Sequence, residues 1–138
     1  MDHESTSDVV RFGIIGMGGM GNGHARNMPK VPEAELTAVC DIASDALQAA
    51  VDTYEVPGFA KHTDLLDSGL VDAVIIATPH YDHPPIAIDA MHKGIHVISE
   101  KPIAVRVSRA EAMIKTAEET GMVFAVMFQQ RTRAIHQA

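Results

Sequence analysis

Short apolar runs alternate with amphipathic stretches along almost the whole chain. Val9 to Ile15 predicts a strand of mixed periodicity that ends at Gly16, and Gly19 to Met28 predicts a helix that opens in glycine and is stopped by Pro29. Leu36 to Cys40 predicts a second strand. In the following helix, Ala43 to Tyr54, residues Ala46, Leu47, Ala50 and Val51 fall on one face. A weak extended piece at Phe59–His62 precedes a short helix opened by Thr63-Asp64-Leu65-Leu66 and ended by Gly69. Ala73 to Ala77 is apolar throughout, as a parallel strand covered on both faces requires. Pro84 to Lys93 predicts a helix with proline at its start and Gly94 just past its end. Ile95–Ile98 predicts a strand. Ser108-Arg109-Ala110-Glu111 reads as a capping box for a helix that reaches Thr120 and closes at Gly121, and Met122–Phe128 predicts the last strand.

The succession βαβαβ(α)βαβαβ predicts an α/β fold, a doubly wound parallel sheet of about six strands with right-handed crossovers. The predicted organisation is a polar tail over 1–8, one domain over 9–130 and the beginning of a further domain over 131–138. At 138 residues the length fits one domain, on a scale of roughly 150 residues each. Hydrophobic residues make up 46% and charged residues 21%, a globular rather than disordered composition. Against 11 Lys+Arg stand 18 Asp+Glu, a net charge of −7 that repels phosphate backbones and argues against nucleic acid as a partner. A single cysteine, Cys40, excludes an internal disulfide and fits a reducing compartment. No basic start or apolar segment opens the chain, and no apolar run approaches the ~20 residues of a membrane span. The expected location is cytoplasmic, with no membrane partner.

Gly16-Met17-Gly18-Gly19-Met20-Gly21 fits G-x-G-x-x-G and sits where that pattern has meaning, directly after a strand and at the opening of a helix. Gly16 permits the turn out of the strand, Gly18 lets backbone amides approach a pyrophosphate, and Gly21 lets the helix pack closely on the sheet. Helix-start N–H groups add about half a positive charge. Met17 and Met20 read as apolar lining under the ligand. The lysine of a P-loop is missing, since His24-Ala25 follows Gly23. The plainer alternative is a flexible glycine-rich turn. Asp41 closes the second strand twenty positions after Gly21, where an acid accepts hydrogen bonds from the adenosine ribose. A 2′-phosphate there would meet ~1–4 kcal/mol of repulsion at 4 Å, and Ile42-Ala43-Ser44 offers no arginine. NAD is therefore expected, with NADP less favoured. Asp41 also reads as a cap for the helix near Ala43, and the two roles can coexist.

Two more segments carry a resemblance. Ala77-Thr78-Pro79-His80-Tyr81-Asp82-His83 follows the fourth main strand and Glu100-Lys101-Pro102 the fifth. With the glycine loop, they make the stretch from Val9 to Thr132 resemble the N-terminal Rossmann half of Gfo/Idh/MocA oxidoreductases, the glucose–fructose oxidoreductase and inositol dehydrogenase family. Gln129 departs from the family's more frequent asparagine. The resemblance implies that Thr78 and Pro79 line the nicotinamide side of the crevice. It implies that Glu100 and Lys101 flank the nicotinamide and its ribose, Lys101 reaching the substrate hydroxyl as the catalytic residue. It implies that His83 caps the following helix and packs by the cofactor. A substrate domain supplying the catalytic His and Asp would lie beyond Ala138. From the residues alone, Glu100-Lys101 also reads as a solvated ion pair. Pro102 restricts Lys101 to extended backbone, and a cis bond there would help aim its side chain.

Eight histidines include His80-x-x-His83 and His92-x-x-x-His96, but Gly94 separates the latter pair and no cysteine lies near, so no metal site is expected. His24 reads as a helix-face residue near the phosphates. The function expected is an NAD-binding half of a sugar- or polyol-type dehydrogenase, incomplete for catalysis alone and a possible homo-oligomer. A dinucleotide sensor without turnover is the alternative, and a methyl-donor domain a third.

Overall fold

A computed structural model describes residues 8–127. Six parallel strands form one sheet: β1 (Val10–Ile15), β2 (Ala34–Cys40), β3 (Gly58–Phe59), β4 (Ala73–Ile76), β5 (His96–Glu100) and β6 (Phe124–Met127). Their spatial order is β3-β2-β1-β4-β5-β6, so the chain starts in the centre, winds to one edge, returns and winds to the other. Five helices make the crossovers: α1 (Gly19–Asn27), α2 (Ser44–Tyr54), α3 (His62–Asp67), α4 (His83–His92) and α5 (Val107–Thr120).

Strand alternation divides the core in two. Ile14, Val39 and Ile75 join Ala25 of α1 and Ala50 of α2 on one face. Ile15, Cys40, Val74, Ile76 and Val97 meet Leu65 and Leu66 of α3, Ile86, Ala87, Ala90 and Met91 of α4, and Met113 of α5 on the other. Successive residues of β1 thus serve opposite layers, and β4 is buried along its full length, as expected of a central parallel strand. The register Ile14 with Val39 and Ile75, then Ile15 with Cys40 and Ile76, brings the ends of β1, β2 and β4 to one level.

Most predicted elements appear within a residue or two of their expected limits. Leu36–Cys40 begins earlier, at Ala34, and the extended piece at Phe59–His62 is a two-residue edge strand whose His62 already belongs to α3. The predicted Gly19–Met28 helix gives way to a 3₁₀ turn at Met28–Lys30, where Pro29 removes an N–H. The capping box is a correction. Helix α5 enters at Arg106, whose carbonyl accepts the Arg109 and Ala110 amides, and Ser108 lies inside the first turn with no cap to make. The segment Phe128–Thr132 and the tails 1–7 and 133–138 lie outside the described residues.

Candidate dinucleotide site

Gly16 leaves β1 at φ +98°, a region that L side chains rarely adopt, and a Cβ on it would meet the Ala77 backbone at 2.7 Å. Gly21 lies against the same bend: a Cβ there would stand 1.8 Å from the Gly16 carbonyl oxygen. These two glycines let α1 sit hard on the strand end. Gly18 is different. It is the N-cap of α1, carries extended backbone, and a Cβ on it would meet nothing within 4 Å. It borders a cavity of about 420 Å³ at the ends of β1, β2 and β4, walled also by Gly16, Asp41, Ile42, Thr78 and Pro79. This is the crevice where the winding of an open α/β sheet reverses, the place where such sheets bind ligands.

Asp41 follows β2 with its carboxylate held by two backbone donors: Oδ2 accepts the Met17 N–H at 2.8 Å and Oδ1 the Ala43 N–H at 2.8 Å. Asp41 thereby steadies the glycine bend and the turn into Ala43. It does not cap α2, whose N-cap is Ala43 with no side-chain cap hydrogen bond, so the capping role read from the sequence is a correction. A carboxylate has about four acceptor positions, so two remain for ligand hydroxyls. Beside it Ile42 is 93% exposed, an apolar plate at the mouth of the cavity. Opposite, His62 Nε2 pairs with Asp89 Oδ2 at 2.9 Å, fixing α3 to α4 along the cavity wall. Cys40 also borders the cavity, but burial, with Asp41 and Asp64 adding repulsion, pushes its thiol up to about 12. It is no nucleophile at neutral pH.

The other sequence-predicted residues occupy distinct places. The Met17 side chain is not cavity lining: it is buried in the α1/α2 core with Ile14 and Met28, and only its backbone faces Asp41. Gly19 is open, and Met20 is half exposed on α1. His83 is fully buried as the first residue of α4 and does not cap that helix. Its Nε2 faces the Thr78 carbonyl at 2.8 Å, and its Nδ1 faces the Pro102 carbonyl at 3.1 Å and Ser99 Oγ at 3.2 Å. The loop after β4 is thereby tied to the turn after β5. The Lys101–Pro102 peptide is cis. Lys101 is exposed, while Glu100 turns inward and its Oε1 pairs with Nε2 of His24 on α1. Sequence reasoning missed this pair, together with the wall positions of Ile42 and His62. Among the described residues no three His, Cys, Asp or Glu side chains gather as a metal site.

The residues fit a dinucleotide on the geometry itself: an open cradle at Gly18, a helix start behind it, and a carboxylate at the end of the next strand. The family model for an oxidoreductase family with an NAD-binding Rossmann fold matches residues 10–128. The chain belongs to the Gfo/Idh/MocA oxidoreductase family. Among its relatives, a glycosyl hydrolase family 109 protein of Shewanella pealeana is 33% identical over 123 residues, 82% of this chain and 27% of that protein. Glucose-6-phosphate 3-dehydrogenase of Bacillus subtilis is 32% identical over 123 residues, 89% of this chain and 35% of that enzyme. The WlbA dehydrogenase of Bordetella pertussis, solved with NADH and UDP-GlcNAcA, superposes with a TM-score of 0.90 at 36% identity, covering 94% of this chain and 40% of that one. The chain thus spans about a third of the length of these curated relatives. No helix among the described residues is long and apolar enough to cross a membrane.

Proposed function

We propose that this Gfo/Idh/MocA chain is the NAD-binding part of an oxidoreductase that moves hydride between nicotinamide and a sugar- or polyol-like hydroxyl. The observation that carries the proposal is the empty direction at Gly18 beside the Asp41 carboxylate, at the reversal point of the sheet. The backbone of Gly16–Gly21 takes the diphosphate, the first-turn amides of α1 having no partner within the helix. Asp41 takes the adenosine ribose with its two remaining acceptor positions, and Ile42 offers an apolar face to the adenine. Thr78 and Pro79 form the opposite wall. When bound, nicotinamide supplies the hydride acceptor or donor. Lys101, exposed at the end of β5, orients the substrate oxygen and stabilises negative charge on it as its proton leaves.

The substrate pocket and the proton acceptor belong in this reading to sequence beyond residue 138, as does the main contact surface of a homo-oligomer. A cytoplasmic location goes with it. Titration calorimetry with NADH, NADPH and S-adenosylmethionine tests the proposal. NADH should bind most tightly, and Asp41→Ala should weaken it by about tenfold while narrowing its advantage over NADPH, because the carboxylate no longer repels a 2′-phosphate. Binding of the methyl donor with none of NADH would overturn the assignment.

A further inference from the structure

We infer that His24 and Glu100 form a positioning pair that couples the diphosphate-holding bend to the turn presenting Lys101. This rests on the dinucleotide reading above and assigns a role inside it. The two residues are 76 positions apart in sequence. His24 stands on α1 three residues after Gly21, in the helix whose first turn is the bend. Glu100 is the last residue of β5, next to Lys101. Strand β4 lies between β1 and β5 in the sheet, so the pair reaches past the immediate neighbour of the glycine strand. Both side chains are well withdrawn from solvent, 15% and 8% exposed, and neither borders the 420 Å³ cavity.

The opposite side of the same segment is fastened as well. Alternation along β5 sends Ser99 to the other face, where it meets His83, and His83 also holds the Pro102 carbonyl. Residues Ser99 to Pro102 are thus gripped from α1 by His24 and from α4 by His83, with Lys101 the exposed side chain between the grips. A charge-assisted hydrogen bond in a poorly hydrated place is strong and directional, so it can transmit position. Loss of the pair should therefore loosen the nicotinamide end of the site and leave the adenine end intact. A pair that merely holds the fold together would affect both ends alike.

The test compares NADH, followed through its own fluorescence, with ADP, which lacks the nicotinamide half. His24→Ala and Glu100→Ala should each weaken NADH by about tenfold, with ADP changed by less than about twofold. The double variant should be no worse than either single one, the mark of two side chains acting as one unit. Glu100→Gln, which keeps an acceptor for the imidazole N–H, should recover most of the affinity. Equal losses for NADH and ADP, no loss, or losses that multiply in the double variant would overturn the coupling. If an alanine variant does not fold, as judged by circular dichroism, His24→Phe and Glu100→Leu, which remove the hydrogen bond but keep side-chain bulk, carry the same comparison. Wild-type chain that fails to bind NADH would overturn the dinucleotide reading and the coupling together. Wild-type binding with unaltered variant ratios would overturn the coupling alone.

Discussion

Side chains added at Gly18 and at Gly21 meet opposite fates. At Gly21 a Cβ would collide with the Gly16 carbonyl at 1.8 Å, so Gly21→Ala must lift α1 off the strand end. It should destabilise the chain by at least about 2 kcal/mol, read from a chemical denaturation curve. At Gly18 the Cβ has open space, so Gly18→Val should retain the melting temperature within about 2 °C of the parent while filling the cradle and abolishing measurable NADH binding. A variant that kept NADH affinity would place the diphosphate elsewhere. The turn at Gly16 and the close packing at Gly21 were readable in the sequence because each is set by its spacing from a strand end. The place of Asp41 directly after β2 was readable for the same reason. Glu100 was not: next to Lys101 in the chain it invites a reading as a surface ion pair or a cofactor flank, yet the fold turns it inward to His24. Nothing local in either residue's sequence neighbourhood announces a partner that the topology supplies from across the sheet.

At the level of elements, the end of the sheet remote from the cleft has its own lock. Arg11 of β1 donates from Nε and Nη2 to the two carboxylate oxygens of Asp72, just before β4, and from Nη1 to the Gly69 carbonyl, while the Asp72 N–H donates to the Arg11 carbonyl. The Arg11 guanidinium holds the Asp72 carboxyl below its ordinary range, chiefly through these hydrogen bonds. A carboxyl depressed in the folded state contributes stability above its unfolded value of about 3.9 and loses it as pH falls through the lower folded value. Asp72→Asn should therefore lower the melting temperature by about 2 °C at pH 7, a modest amount because both side chains are over 40% exposed. The deficit should shrink only below about pH 4. A deficit that stayed constant down to pH 2 would mean the charge contributes nothing. Helix starts were the least legible elements. Ser108 and Glu111 satisfy the capping pattern, but an extended Arg106 caps the helix start two residues earlier and leaves the serine nothing to cap. Strands buried on both faces, such as β4, were the most legible, because continuous apolar sequence has few other uses at that length.

For the whole molecule, alternation of strand and helix was enough to predict parallel pairing, and the central start of β1 follows from the crossovers between layers. The consequence is that one ligand can fasten several elements at once. The bend after β1, Asp41 after β2 and Thr78 after β4 stand on three different strands and meet only around the cavity. A dinucleotide seated there favours the folded over the unfolded chain by about 2.7 kcal/mol at a hundred times its dissociation constant. For a domain of this size that is a rise of about 10 °C in melting temperature. ADP at the same multiple should do as much, since linkage depends on saturation and not on which half binds, whereas NADPH at the NADH concentration should do less. Incubation with NAD and a polyol should yield no NADH, because hydride transfer needs a substrate pocket that this reading places beyond the chain. Turnover by the 138 residues alone would show that Lys101 and the cleft already suffice for the chemistry.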